Sequence, residues 1–342
     1  MSNSSSYKRD KHYLERIIEP NIVSVGFLLL ISLSLWFLGY VFAPQEVWNC
    51  SPSGPLDKIV TYNLDPTSMS SYALGWLCSF FVGIALFILN ERNNIISKRT
   101  LLPIFFYVLL IGSNVNSQQF VSSSISNIFT IIAIDKLYSE YRRQNPVVSS
   151  FGSGAMLMIA SLFCEEYIFL FPFIWIGMIR QNTMTLRMWL ANILGAATVA
   201  FVLFGFMFLY NDELTMAFCN EYIECFGFAK PEFETSVIIF LFFGIQIYCT
   251  LVAIFNSFNR NHIDNIKGSK LMSVTTILLI GAAIIFFVFS NKMPLFYPLV
   301  ALFESIVLSH YFTLNNRRFS QITFSVMMSC FALYFLNSII FQ

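Results

Sequence analysis

The chain predicts an all-α, polytopic helical membrane protein with about eleven transmembrane segments, N-terminus in and C-terminus out. Three observations carry this. Of 342 residues, 56% are hydrophobic and only 11% are charged, at a mean hydropathy of +0.67; a soluble domain carries about 25% charge. The 39 phenylalanines, with Ile and Leu, fill long continuous runs, which lipid tolerates as a surface and water does not. Continuity also excludes a barrel, whose strands would alternate with period two, and leaves helices to satisfy the backbone in lipid. Finally, 17 of the 20 Lys and Arg fall in every second gap between the runs. Cytoplasmic loops retain Lys and Arg, and this bias sets orientation. The three exceptions, Lys58, Lys230 and Lys292, share the opposite set of gaps.

A spanning helix needs ~20 apolar residues. Residues 1–20 form a polar cytoplasmic segment with Lys8, Arg9, Lys11 and Arg16, and residues 21–342 form one integral membrane domain. The first run, 21–43, is too long for a signal-peptide core, and Pro44 directly after it disfavours cleavage, so it reads as a retained anchor. An outer loop, 44–69, carries Asp57 and Asp65. Segment 70–90 returns to Arg92, Lys98 and Arg99. Segments 101–115 and 120–138 make a short hairpin with Asn114, Asn116, Gln118 and Gln119 at its outer tip. Segments 147–163 and 167–180 make a second, tipped by Glu165 and Glu166. Segment 188–210 is full length and leads to an acidic outer loop, 211–232. Segments 233–258, 271–290, 293–314 and 321–341 complete the chain. No loop exceeds 30 residues, so a site must be built from helix ends and the two outer loops. Short segments such as the four central ones point to a central cavity or to elements shielded by neighbours.

Glu304 lies mid-segment, where an ionisable group costs at least ~2.5–3.5 kcal/mol and therefore faces a cavity or a partner. It reads as a proton or ligand site, or equally as a neutral side chain bonding two helices. Pro294 and Pro298 precede it and bend the helix. Glu165 and Glu166 offer a general base or a metal ligand, or a solvated turn. Asp57 and Asp65 suit deprotonation of a hydroxyl or binding of a divalent cation, or an ordinary polar loop. Gln118 and Gln119, with their Asn neighbours, suit a sugar or head group, or simply a loop leaving the bilayer. Gly152, Ser153, Gly154, Ala191 and Gly195 read as small residues that let helices pack closely. His310 reads as interfacial. Cys219 and Cys225 could form a disulfide in an oxidising compartment or remain free thiols.

Net charge of +1 and the absence of a basic stripe give no case for nucleic-acid binding. The chain lacks P-loop, H-E-x-x-H and G-x-S-x-G motifs, and its cysteines and histidines lack zinc spacing.

The central hairpins carry a resemblance: the basic turn from Tyr138 to Arg143, the run Phe151-Gly152-Ser153-Gly154-Ala155-Met156 onward to Phe163, the Arg180–Arg187 turn, and Trp189 to Gly195 opening the next helix. Over roughly residues 70–210 this is similar to a family of uncharacterised multi-pass inner-membrane proteins from Bacteroidota. More distantly it resembles polyprenyl-phosphate-dependent glycosyltransferases of the GT-C type. The resemblance implies a bacterial inner-membrane location, a role in the cell envelope, and a polyprenyl-phosphate-linked sugar as partner beside the membrane lipids. It implies an acid of the first outer loop, Asp57 or Asp65, as base or metal ligand, and Lys58 or Lys292 pairing a lipid phosphate. The chain departs from the GT-C pattern in lacking a soluble outer domain and in its short first outer loop. Three functions thus stand open: a lipid-linked sugar transferase, a transporter or flippase coupled through Glu304, and a non-enzymatic subunit with envelope protein partners.

Overall fold

The computed structural model describes residues 22–42, 54–57, 68–120, 122–141, 146–210, 216, 220, 222, 237–259, 266–289, 292–315 and 318–340. Among these are eleven α-helices and no strand: α1 (Ile22–Phe42), α2 (Met69–Asn93), α3 (Leu102–Ser113), α4 (Ser122–Ser139), α5 (Pro146–Phe163), α6 (Phe171–Gln181), α7 (Leu186–Tyr210), α8 (Val237–Asn259), α9 (Ile266–Val288), α10 (Met293–Leu314) and α11 (Arg318–Ile340). Each falls on one of the eleven expected runs. Eight, all but α3, α4 and α6, are long and apolar enough to cross a membrane.

The short segments have a local cause. Pro103 and Pro172 sit in the first turns of α3 and α6, where a missing N–H costs nothing. Each hairpin tip then tightens into a 3₁₀ turn, Val115–Ser117 and Glu165–Leu170. At ~1.5 Å per α-helical residue and ~2.0 Å per 3₁₀ residue, α6 with its 3₁₀ lead-in reaches about 28 Å, close to the hydrocarbon thickness of ~30 Å.

Helix α10 is the axis. Of its apolar window, 94% is buried, against 11% for α7 at the periphery. It packs on α3, α4, α8 and α9. Around this group, α1 and α2 cover α3, α5 bridges α4 and α7, α6 lies on α9, and α11 lies on α8 and α3. Outward faces present Phe201, Phe206, Leu209, Phe240 and Phe255, as lipid-facing helices do.

The elements sort into two ends as the charge alternation requires. At the basic end, Arg92 pairs with Asp135 at 2.7 Å, Lys270 lies over the Tyr141 ring at 5.3 Å, and Gly268 meets the backbone of Asn94 and Ile95. Helices α2 and α6 stop there on left-handed residues, Asn94 and Asn182, with φ of 51° and 59°, a conformation Asn tolerates. At the opposite end the second hairpin tip and the end of α5 meet Gly54, Tyr222 and Lys292, and the first tip packs on α1 and α2.

The small residues pack as expected. A Cβ on Gly154 would lie 2.0 Å from the Asn192 carbonyl oxygen, and one on Gly195 would lie 2.1 Å from that of Phe151. Helices α5 and α7 therefore touch backbone to backbone. His310, near the end of α10, is buried at 3% exposure, because the central position of α10 encloses even its last turns.

Candidate functional site

Three segments that are distant in sequence converge on the end of α5 away from the basic loops. Gly54 lies so close to the carbonyls of Leu162 and Phe163 that a Cβ would come within 2.4 Å of the former. Tyr222 donates to the Ser161 carbonyl at 2.9 Å. Lys292, the residue capping the start of α10, pairs with Glu166 at 2.8 Å. All three belong to gaps that the charge pattern assigns to one side.

The acidic tip is buried. Glu165 and Glu166 are 7% and 2% exposed, in place of the solvated turn that was one expectation. The reason is the 3₁₀ turn, which packs against α9 and is locked from below. Tyr167 donates to Asn127 Oδ1 at 2.8 Å, and the Asn127 amide donates to the Tyr107 hydroxyl at 3.3 Å. One polar chain thus ties this tip to both helices of the other hairpin. Glu166 also accepts from the Cys164 thiol at 3.5 Å. A buried carboxylate needs such partners, since an unpaired one costs several kcal/mol. The Lys292 side chain remains 30% exposed, and α10 begins beside it, so its cationic face and the positive helix end coincide.

Asp57 is buried at 4% exposure, three residues from Gly54 and so near the same helix end. Asp65, Lys58, Cys219 and Cys225 lie outside the described residues. Gln118 and Gln119 are built into the fold. The Gln118 side-chain amide donates to the carbonyls of Gly112 at 2.7 Å and Leu35 at 3.2 Å, its backbone carbonyl accepts from the Trp36 indole at 3.0 Å, and its side chain fits against Gly39. Gln119 donates to the Tyr72 hydroxyl at 3.3 Å. Among the described residues, no three His, Cys, Asp or Glu side chains gather as cation ligands.

Glu304 stands apart from this end. It is 2% exposed and is held by two side chains of α8: Gln246 donates to Oε2, and Thr250 Oγ1 lies 2.6 Å from Oε1. These partners were not anticipated. The available signal was the pair of polar residues one helical turn apart in an apolar run. Glu166, rather than Glu165, is the acid that meets Lys292, a choice set by the 3₁₀ geometry.

No curated protein matches the chain. Among solved structures it is similar to the archaeal oligosaccharyltransferase AglB from Archaeoglobus fulgidus, in complex with an inhibitory peptide and a dolichol-phosphate, at a TM-score of 0.51 and 9% identity. That likeness covers 96% of this chain and 56% of the other, so the chain spans little more than half of the oligosaccharyltransferase; at this identity the likeness is one of fold. Residues 58–341 match the family of unknown function DUF6427, and the chain belongs to that family.

Proposed function

We propose that this chain is an inner-membrane protein of the bacterial cell envelope, its N-terminus cytoplasmic, that binds a polyprenyl-phosphate-linked sugar at the Glu166–Lys292 end and transfers the sugar there. The observation that carries the reading is the placement of Lys292: a partly open cation at the start of the central helix, anchored by a buried carboxylate, where three outer segments converge. The Lys292 ammonium is a cation with several donor hydrogens on a side chain that is 30% exposed, which suits contact with phosphate oxygens at the rim. Glu166 acts as the positioning group that keeps Lys292 at the rim.

In this reading Asp65, or Asp57, takes the proton of an acceptor hydroxyl. The acceptor oxygen bonds to the anomeric carbon as the carbon–oxygen bond to phosphate breaks. Lys292 receives the charge that develops on the departing lipid phosphate. The fold likeness to an oligosaccharyltransferase whose structure contains dolichol-phosphate supports this assignment.

The test is native mass spectrometry of the gently solubilised chain. A stoichiometric polyprenyl phosphate or lipid-linked sugar is expected on the parent and on Lys292→Arg, and is lost on Lys292→Ala. A bare mass, bulk phospholipid alone, or an adduct indifferent to Lys292→Ala overturns the reading. A co-purifying envelope protein in its place would identify a non-enzymatic subunit.

A further inference from the structure

Away from the Glu166–Lys292 end, α8, α9 and α10 enclose a half-open groove of about 230 Å³. Its rim is lipid-facing: Ile247, Leu251, Ile280 and Phe287 are all exposed. Its walls are apolar, with Glu304 and its two α8 partners at the floor. The hydrogen bonds there run in a fixed order. The Tyr297 hydroxyl lies 3.5 Å from Gln246 Oε1, an atom that can only accept. The Gln246 amide then donates to Glu304 Oε2. So Oε2 is an acceptor, and any carboxyl proton sits on Oε1.

Oε1 faces Thr250. That hydroxyl is 2.6 Å from Glu304 Oε1 and 2.9 Å from the Gln246 backbone carbonyl at once. A hydroxyl has one proton and can donate once. When it donates to the carbonyl, as Thr does within helices, the short contact to Glu304 requires a second proton, which only the carboxyl can supply. Among the described residues no cation neutralises Glu304, and the ion pairs lie elsewhere. The titratable groups near it are Cys249 of α8 and Tyr297 of α10, with Cys330 and Tyr334 of α11 beyond them; none is cationic.

We infer that Glu304 is a reversible proton-binding site, carrying its proton on Oε1 against Thr250 and releasing it when the Thr250 hydroxyl turns from the Gln246 carbonyl to the carboxylate. The inference is independent of the sugar-transfer reading. The neutral state joins α8 to α10 with no buried charge. The ionised state draws water into the groove, whose volume has room for several molecules at ~30 Å³ each. One proton thereby exchanges a dry, closed helix contact for a hydrated one.

Infrared spectroscopy of the full chain in lipid nanodiscs tests this through the carbonyl band of a protonated carboxylic acid, assigned by its loss in Glu304→Gln. The band is expected to bleach as a single-proton titration within the pH range over which the chain stays folded. Thr250→Ser keeps the hydroxyl and should titrate as the parent does. Thr250→Val should move the band and displace the midpoint by about one pH unit, because a hydrogen bond to the charged carboxylate is stronger than one to its neutral form. That shift also assigns the band if Glu304→Gln does not fold. Absence of a Glu304-dependent band at every pH, or a band unchanged across the whole range, overturns the inference.

Discussion

Replacing Gly195 by Ala puts a methyl group 2.1 Å from the Phe151 carbonyl oxygen and 3.0 Å from the Ala155 nitrogen. Ordinary contact begins near 3.4 Å, so α7 must retreat from α5 by about 1.3 Å. The obstacle is backbone, which cannot rotate aside as a side chain would. Overpacking of this kind costs ~1–3 kcal/mol, occasionally more. The retreat also stretches bonds that cross the interface: Ser150 to the Met188 carbonyl at 2.8 Å, and Asn192 to the Ser150 carbonyl at 3.1 Å and to Ser153 at 2.9 Å. Inside membrane bundles such bonds average ~0.6 kcal/mol each. Ala returns up to ~1 kcal/mol of helix propensity. The net expectation is a loss of about 2–4 kcal/mol, with Gly154→Ala similar, since its methyl would lie 2.0 Å from the Asn192 carbonyl oxygen. The double variant should cost less than the sum, because the helices have already parted. Thermal unfolding of the detergent-solubilised chain measures this against Gly205→Ala, in the same helix but with nothing within 4 Å, which should leave Tm unchanged or slightly raised. If Gly195→Ala and Gly205→Ala unfold alike, the backbone-contact argument is wrong. The consequence reaches the candidate site, because α5 carries the acidic tip that Lys292 engages.

Two further outcomes are expected. In the turn after α4, burial pushes the Glu140 carboxyl up to about 8 against the opposing hydrogen bonds from Thr183 and Ser150; a raised carboxyl destabilises the fold progressively as pH rises from its unfolded value near 4.5 through about 8, so Tm should fall over that window by the equivalent of a few kcal/mol, and Glu140→Gln should remove most of the slope. Gln118→Ala should cost about 2–3 kcal/mol, because it deletes two amide donations and leaves a void under Gly39; if Gln118 instead serves only a ligand, the same change lowers binding and leaves thermal unfolding where it was.

Much of this protein is legible without coordinates. The eleven helices among the described residues follow from apolar runs, because lipid forces the backbone to satisfy itself within each segment. The division into two ends follows from where Lys and Arg fall, and Gly154 and Gly195 announce the close packing of α5 and α7. Glu304 announces itself as a partnered or functional group because charge is costly at that depth. Partner choice is a different matter, since it depends on which helices become neighbours and on how a turn is wound. Residues 166 and 292 are 126 positions apart, and nothing in their local sequence selects Glu166 over Glu165; the 3₁₀ turn does. The hydrogen bonds between Gln118 and α1 span 83 and 82 positions and turn a polar tip into packing. The pairing of Glu304 with Gln246 and Thr250 exists only because α8 lies against α10. Periodicity and cost of burial are local properties, written in each segment. Register between segments is settled by the packing of all of them at once, and tertiary structure alone decided it here.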